Sequence, residues 1–157
     1  MNDPSTGEDQ NTTSAERTIR PGKDLLQIGM ATRRHVLGHA HVDRAEAAKS
    51  EFDEPFQTLI TDVAWAQLWS RPHWSHRERS CVTIALMAAL GHWEELAMHI
   101  RATANTGASR EDIREALMHV AVYAGVPAAN KAFKIAKATF AEMDNVSAET
   151  GGEEPQR

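Results

Sequence analysis

Cysteine is almost missing from this 157-residue chain: Cys81 stands alone, which excludes an intramolecular disulfide and any CxxC redox pair. Tyrosine also occurs once, and Phe, Trp and Tyr together make up 6 % of the residues. The apolar 41 % is instead rich in alanine, which favours helix over sheet. No long apolar run is present. The longest, residues 81–90 with Thr83 inside it, is about half of what a membrane-spanning helix needs. The first thirty residues hold no apolar stretch of the secretory kind, so the chain reads as cytoplasmic. A basic surplus is missing too. Acids outnumber bases 22 to 17, and the whole net charge of −5 sits in residues 1–20 and 144–157. A neutral middle offers no electrostatic footprint for nucleic acid and no basic amphipathic helix for a membrane surface.

The two ends are polar and acidic with almost nothing apolar, so residues 1–20 and 144–157 are expected to be disordered tails. Residues 21–143 are expected to form one helical domain. Asp24 can cap a first helix with Leu25, Ile28, Val36 and Leu37 inward, closed by Gly38. A short helix can follow over 43–49. Pro55 suits the first turn of a third, with Phe56, Leu59, Ile60, Val63 and Leu68 as its buried face. That helix runs into an aromatic cluster, Trp65, Trp69 and Trp74. Ser75-His76-Arg77-Glu78 is a capping box in front of the apolar run. The helix behind it is apolar on nearly every side and is expected to be buried all round, ending at Gly91. A helix over 93–106 stops at Gly107. Ser109 caps the next, whose stripe is Ile113, Leu117, Val120 and Ala124. Pro127 opens the last, with Ala129, Ala132, Phe133, Ala136 and Phe140 inward. Nothing alternates with period two. The expected fold is all-α, a compact bundle of about six helices.

Eight histidines invite a metal reading, but no H-E-x-x-H occurs and His35, His39 and His41 straddle a helix-ending glycine, so no metal site is expected. Glu95 and His99 are four apart and share a helical face. A carboxylate beside an imidazole can orient it and raise its pKa, which suits proton transfer near neutrality; the same spacing also describes an ordinary surface ion pair. Arginine is over-used between residues 33 and 101, with seven against one lysine, and its fork suits carboxylates. Arg77 and Arg79 stand in the first turn of a helix, where cations oppose the dipole. Arg79 shares a face with Val82 and Leu86 and is expected to be half buried, at an anion site or an interface. Cys81, inside the apolar helix, reads as a small hydrophobe.

The core of the sequence resembles the 4-carboxymuconolactone decarboxylase family. The likeness begins at Gly29 and Arg33-Arg34-x-Val36-Leu37-Gly38-x-x-His41-Val42-Asp43-Arg44-Ala45. It continues through Phe56-Gln57-x-Leu59-Ile60-Thr61 and Ala64-Trp65-x-x-x-Trp69-x-Arg71-Pro72, then Arg79-Ser80-x-x-Thr83-Ile84-Ala85. Glu94-Glu95-Leu96-x-x-His99-x-Arg101-Ala102 and Gly125-Val126-Pro127-Ala128-Ala129-Asn130-x-Ala132-Phe133 complete it. Alkylhydroperoxidase-like members of the wider superfamily carry a CxxC before the histidine; His92 and Glu95 stand there in this chain.

The resemblance implies an alkylhydroperoxidase-like fold, a homohexamer, and decarboxylation of 4-carboxymuconolactone to 3-oxoadipate enol-lactone in protocatechuate degradation, the β-ketoadipate pathway. The substrate is a small dianionic lactone. Loss of CO2 sends two electrons through the ring double bond to the lactone carbonyl, so the substrate supplies its own electron sink and no cofactor is expected. The protein must bind a dianion, stabilise an oxyanion and protonate carbon. The implied catalytic pair is His99 with Glu95, and the implied substrate-binding residues are Arg34, His41, Trp69 and Arg79. Two other classes of function remain open: a peroxidase-like redox protein working through Cys81, and a non-catalytic oligomeric binding module.

Overall fold

The computed structural model describes residues 23–150, all of whose regular structure is helical: α1 (Lys23–Leu37), α2 (His39–Ala48), α3 (Glu54–Ile60), a π-helical segment (Thr61–Trp69), α4 (His76–Leu90), α5 (Trp93–Arg101), α6 (Thr103–Thr106), α7 (Arg110–Tyr123) and α8 (Val126–Thr150). The expected tail over residues 1–20 lies outside the described residues, as do 151–157. The expected tail at 144–150 is corrected: α8 runs on through it to Thr150. Asp144 is held there by Arg110, a residue of α7.

Punctuation follows local chemistry. Ser75 accepts from the Glu78 N–H and the Glu78 carboxylate accepts from the Ser75 N–H, so two orphan donors at the start of α4 are satisfied. Ser109 and Asp112 do the same for α7. Arg77 joins the two caps through a two-pronged bond to Asp112, both N···O distances 2.7 Å. That partner offsets the unfavourable place of Arg77 in a first turn and holds the Asp112 carboxyl far below the usual range. Gly91 ends α4 at φ 76°, a left-handed cap that a side chain would strain.

Two cores result. In the larger, Ile84 and Ala88 of α4, Leu96 and Ile100 of α5, Ile113, Leu117 and Val120 of α7, and Ala129, Ala132 and Ala136 of α8 interlock. Alanines on α8 let it lie close to α5 and α7. Lys131 over Trp93 and Arg110 over Phe140 seal the edges, 4.6 and 4.7 Å from the ring centres. The smaller core sets Val36 of α1 against Trp65 and Trp69 of the π segment and Ala102 after α5. Gly29 is what lets α1 and the π segment meet: a Cβ there would stand 2.3 Å from the Thr61 carbonyl oxygen.

Several expectations change. The predicted inner face of the third helix is turned outward, with Phe56, Leu59, Val63 and Leu68 exposed and Thr61, Trp65, Ala66 and Trp69 buried. Phe56 and Leu59 belong to the α-helical α3, while Val63 and Leu68 fall in the π segment, whose wider turn, with bonds i→i+5, moves them off the α-helical face. Residues four apart (61, 65, 69) stay in line, and the α-helical period drifts off the core. Helix α4 is buried on one side only: Arg79, Ser80, Ile84 and Ala88 face in, while Val82, Leu86 and Leu90 face solvent. Arg79 therefore does not share a face with Val82 and Leu86; it is turned to the interior. Trp74 is exposed, apart from the Trp65–Trp69 pair, and Ala124 lies beyond the buried stripe of α7. Finally, the helix expected over 93–106 breaks at Ala102 into α5 and α6.

Candidate functional site

Helix α5 carries the centre of the site. Its apolar stripe, Leu96 and Ile100, faces the large core, and His99 beside them is turned towards the small one. His99 is only 8 % exposed and stacks on Trp69, ring centres 6.0 Å apart and planes 10° from parallel. Its Nδ1 is buried without a hydrogen-bond partner. Burial lowers its pKa from 6.5 to about 4; the Glu95 carboxylate pulls the other way and is outweighed, and His41 adds to the lowering. At neutral pH this imidazole is uncharged. Glu95 is exposed and acts on His99 through its field, with no hydrogen bond between them among the described residues.

The ring chain continues past Trp69. His76, the first residue of α4, lies 6.0 Å from Trp69, and His35 lies 5.0 Å from His76. Burial and then the charge of His35 lower the His76 pKa, against a raising contact with the Trp69 backbone. Arg79 stands at this end. Its Nη2 donates to the Arg71 carbonyl at 3.1 Å, its Nε is buried and unpaired, and its charge bears on His76.

On the other side lies His41, in α2. Burial lowers its pKa first, and Arg44, Arg33 and Arg101 lower it further, so three guanidinium groups surround it electrostatically. Arg33 is 5 % exposed and donates to Glu46 at 3.1 Å and Gln57 at 3.3 Å. Beside His41 opens a cleft of about 430 Å³ between the α1–α2 junction and the end of α5, lined among others by Gly38, His39, Arg44, Met98 and Arg101.

The fold thus brings His99, Trp69 and His41 together, with Glu95 in electrostatic range and Arg79 at the far end of the ring chain. Arg34 is placed differently: it pairs with Asp43 at 2.5 Å on the neighbouring, more open face of α1. Sequence reasoning missed His76, whose only signal was its place inside the capping box that follows an aromatic cluster. It also ranked Arg34 above Arg33, because adjacent arginines look alike in a string and a helix sends them about 100° apart.

Cys81 lies elsewhere, in a second cleft of about 420 Å³ with Trp74 and the Arg77–Asp112 pair. Burial pushes its thiol pKa up, the opposite of an activated cysteine. Among the described residues no three His, Cys, Asp or Glu side chains gather as a metal would require, and no helix is long and apolar enough to cross a membrane.

Comparison with known proteins gives the chain its relatives. The chain is 40 % identical over 115 residues to the 4-carboxymuconolactone decarboxylase of Acinetobacter baylyi, which covers 73 % of this chain and 86 % of that one. It is 36 % identical over 119 residues to a nitrosuccinic acid decarboxylase of Metarhizium robertsii, covering 76 % and 83 %. The model of the carboxymuconolactone decarboxylase family matches residues 54–138, from the start of α3 into α8 and across Trp69, His76, Arg79 and His99. By its sequence, and with an all-helical fold, the chain belongs to the carboxymuconolactone decarboxylase family.

Proposed function

We propose that the protein is a carboxy-lyase that converts 4-carboxymuconolactone to 3-oxoadipate enol-lactone, without a cofactor, in the cytoplasmic β-ketoadipate branch of protocatechuate degradation. The observation that carries this reading is His99: buried, uncharged, stacked on Trp69 and flanked by the arginine-rich surroundings of His41. The Acinetobacter relative supports the choice of substrate.

The chemistry follows from these groups. A dianion entering beside His99 favours its protonated form, so substrate binding draws a proton onto the imidazole. Glu95 adds to that pull. The leaving carboxylate lies against Trp69, where poor solvation favours its conversion to neutral CO2. The bonding pair passes through the ring double bond to the lactone oxygen, giving a dienolate stabilised by the surrounding cations. His99 then delivers its proton to carbon and returns to the neutral form that its burial favours. One dianion and one proton give one monoanion and CO2. His41 and Trp69 bound the substrate, and Arg79 supports the far end through His76; Arg34 acts at the margin, tied to Asp43.

The exposed apolar residues of the α3–π face and of α4 support assembly of copies into a homohexamer. The deciding assay follows loss of lactone absorbance and release of CO2 by the purified protein, with and without EDTA. Absence of turnover sinks the reading. A second reading, with a nitro-substituted dicarboxylic acid as substrate, is supported by the Metarhizium relative. Nitrosuccinic acid in the same assay separates the two.

A further inference from the structure

The cleft beside His41 has features that proton transfer leaves unexplained. Arg44 and Arg101 enter it from two elements that are far apart in sequence, α2 and the end of α5. Among the described residues Arg44 makes no ion pair or hydrogen bond, although arginines 33, 34, 77, 101, 110 and 114 all have carboxylate partners. Arg101 is fixed along one edge, its Nη2 donating to Glu142 of α8 at 2.9 Å. A guanidinium has five N–H donors in a planar fork, so that bond orients Arg101 and leaves donors over. The start of α2 faces the same cleft through Gly38, His39 and His41, and its cap residue Gly38 offers no side-chain acceptor to the first N–H groups. His41 also lines the cleft and bears electrostatically on the buried His99, whose Nδ1 is unpartnered.

We propose that this cleft is a carboxylate subsite: Arg44 and Arg101 grip the carboxylate that the substrate keeps, while the carboxylate that leaves lies unclamped against Trp69 and His99. The division has an energetic reason. A cation clamped to the leaving carboxylate stabilises the ground state more than the transition state, because that charge drains away as CO2 forms. A cation on the retained carboxylate holds ground and transition states alike. Arg44 and Arg101 therefore govern affinity, and His99 governs the chemical step. The division also sets specificity, since a substrate with one carboxylate leaves Arg44 without a partner. Glu142 is a positioning residue that acts through Arg101.

This inference rests on the decarboxylase reading for the identity of the substrate, but not for the subsite itself. Arg44→Met and Arg101→Met should each raise KM roughly tenfold, the scale of a partly exposed charged hydrogen bond, with kcat changed far less. Arg44→Lys should recover part of the loss, and Arg114→Met, on the outer face of α7, should change nothing. Binding without turnover is measured by calorimetry with succinate and its neutral analogue succinamide. The wild type should bind succinate better than succinamide, and both Met variants should lose that preference. Failure of the wild type to prefer succinate, or equal preference in the variants, overturns the subsite. A wild type that prefers succinate through these arginines yet leaves the lactone intact keeps the subsite and removes the decarboxylase reading.

Discussion

In the core between α4, α5, α7 and α8 the buried side chains are Ile, Leu, Val and Ala, and the buried polar pair beside it is satisfied: Ser80 donates to Thr106 at 2.8 Å. In the core between α1, the π segment and the end of α5 the fillers are Trp65, Trp69 and Val36, packed with His99 and Arg33. The four buried polar atoms without a partner among the described residues, on Arg33, Asp62, Arg79 and His99, all lie on α1, the π segment, α5 or the inner side of α4 near Arg71. An unpaired buried polar atom costs about 1–3 kcal/mol. The first region has shed such costs and the second has accumulated them. Aliphatic packing dominates one half of the bundle, and unpartnered buried polar groups gather in the other.

The sharpest way to break that comparison is His99→Ala. Turnover should fall by roughly 10²–10⁴-fold, the usual range for a general acid–base group, while thermal stability stays near that of the wild type. Glu95→Gln should slow turnover less, because Glu95 works through its field, and the double variant should be far from additive. Wild-type-like kcat in a folded His99→Ala would hand the proton to His41.

Leu117→Ala tests the opposite half. Leu117 is fully buried among aliphatic neighbours, so the loss should be about 2–5 kcal/mol of stability, read by urea unfolding, with kcat unchanged at temperatures where the protein stays folded. Gly29→Ala sits between the two: the added methyl meets the Thr61 backbone, so both stability and turnover should drop together.

Acid should separate the halves as well. His99 titrates near pH 4 when folded and near 6.5 when unfolded, so between these values the unfolded chain binds more protons. The neutral-histidine contribution is complete above pH 6.5, declines as the pH falls, and is gone below 4. It amounts to about 3 kcal/mol at most. Unfolding midpoints between pH 7 and 4 should therefore fall more steeply for the wild type than for His99→Gln; parallel slopes would show that His99 titrates normally. The smallest effect expected is that of Arg77→Met, which breaks an exposed pair and should be read as only a small shift in the unfolding midpoint.

Much of the large core was legible in the string. Ser75-x-x-Glu78, the Ser109 cap, Gly91 and the stripe Ile113, Leu117, Val120 depend on neighbours within one or two turns, and the structure repeats them. The stretch from Val63 to Leu68 was not legible, because an α-helical period was read into residues that wind as a π-helix. Nothing local distinguishes the two; the contact of Gly29 with Thr61 lies in another helix. The same holds for the arginines. Their abundance and their suitability for carboxylates could be read, but which face of α1 or α4 turns inward could not.

The sequence by itself determined an all-helical chain, its caps and breaks, its aliphatic stripes, and a histidine one turn after a glutamate. These are short-range matters of propensity, capping and period. Only the tertiary structure decided that His99 is buried and neutral while Glu95 stays in water, that Arg79 faces in while Val82 and Leu86 face out, and that Arg44 and Arg101 share one cleft. Each depends on how much solvent and how many charges distant elements leave around a side chain. Burial and Coulomb energy depend on separation in space, which one helix cannot fix alone.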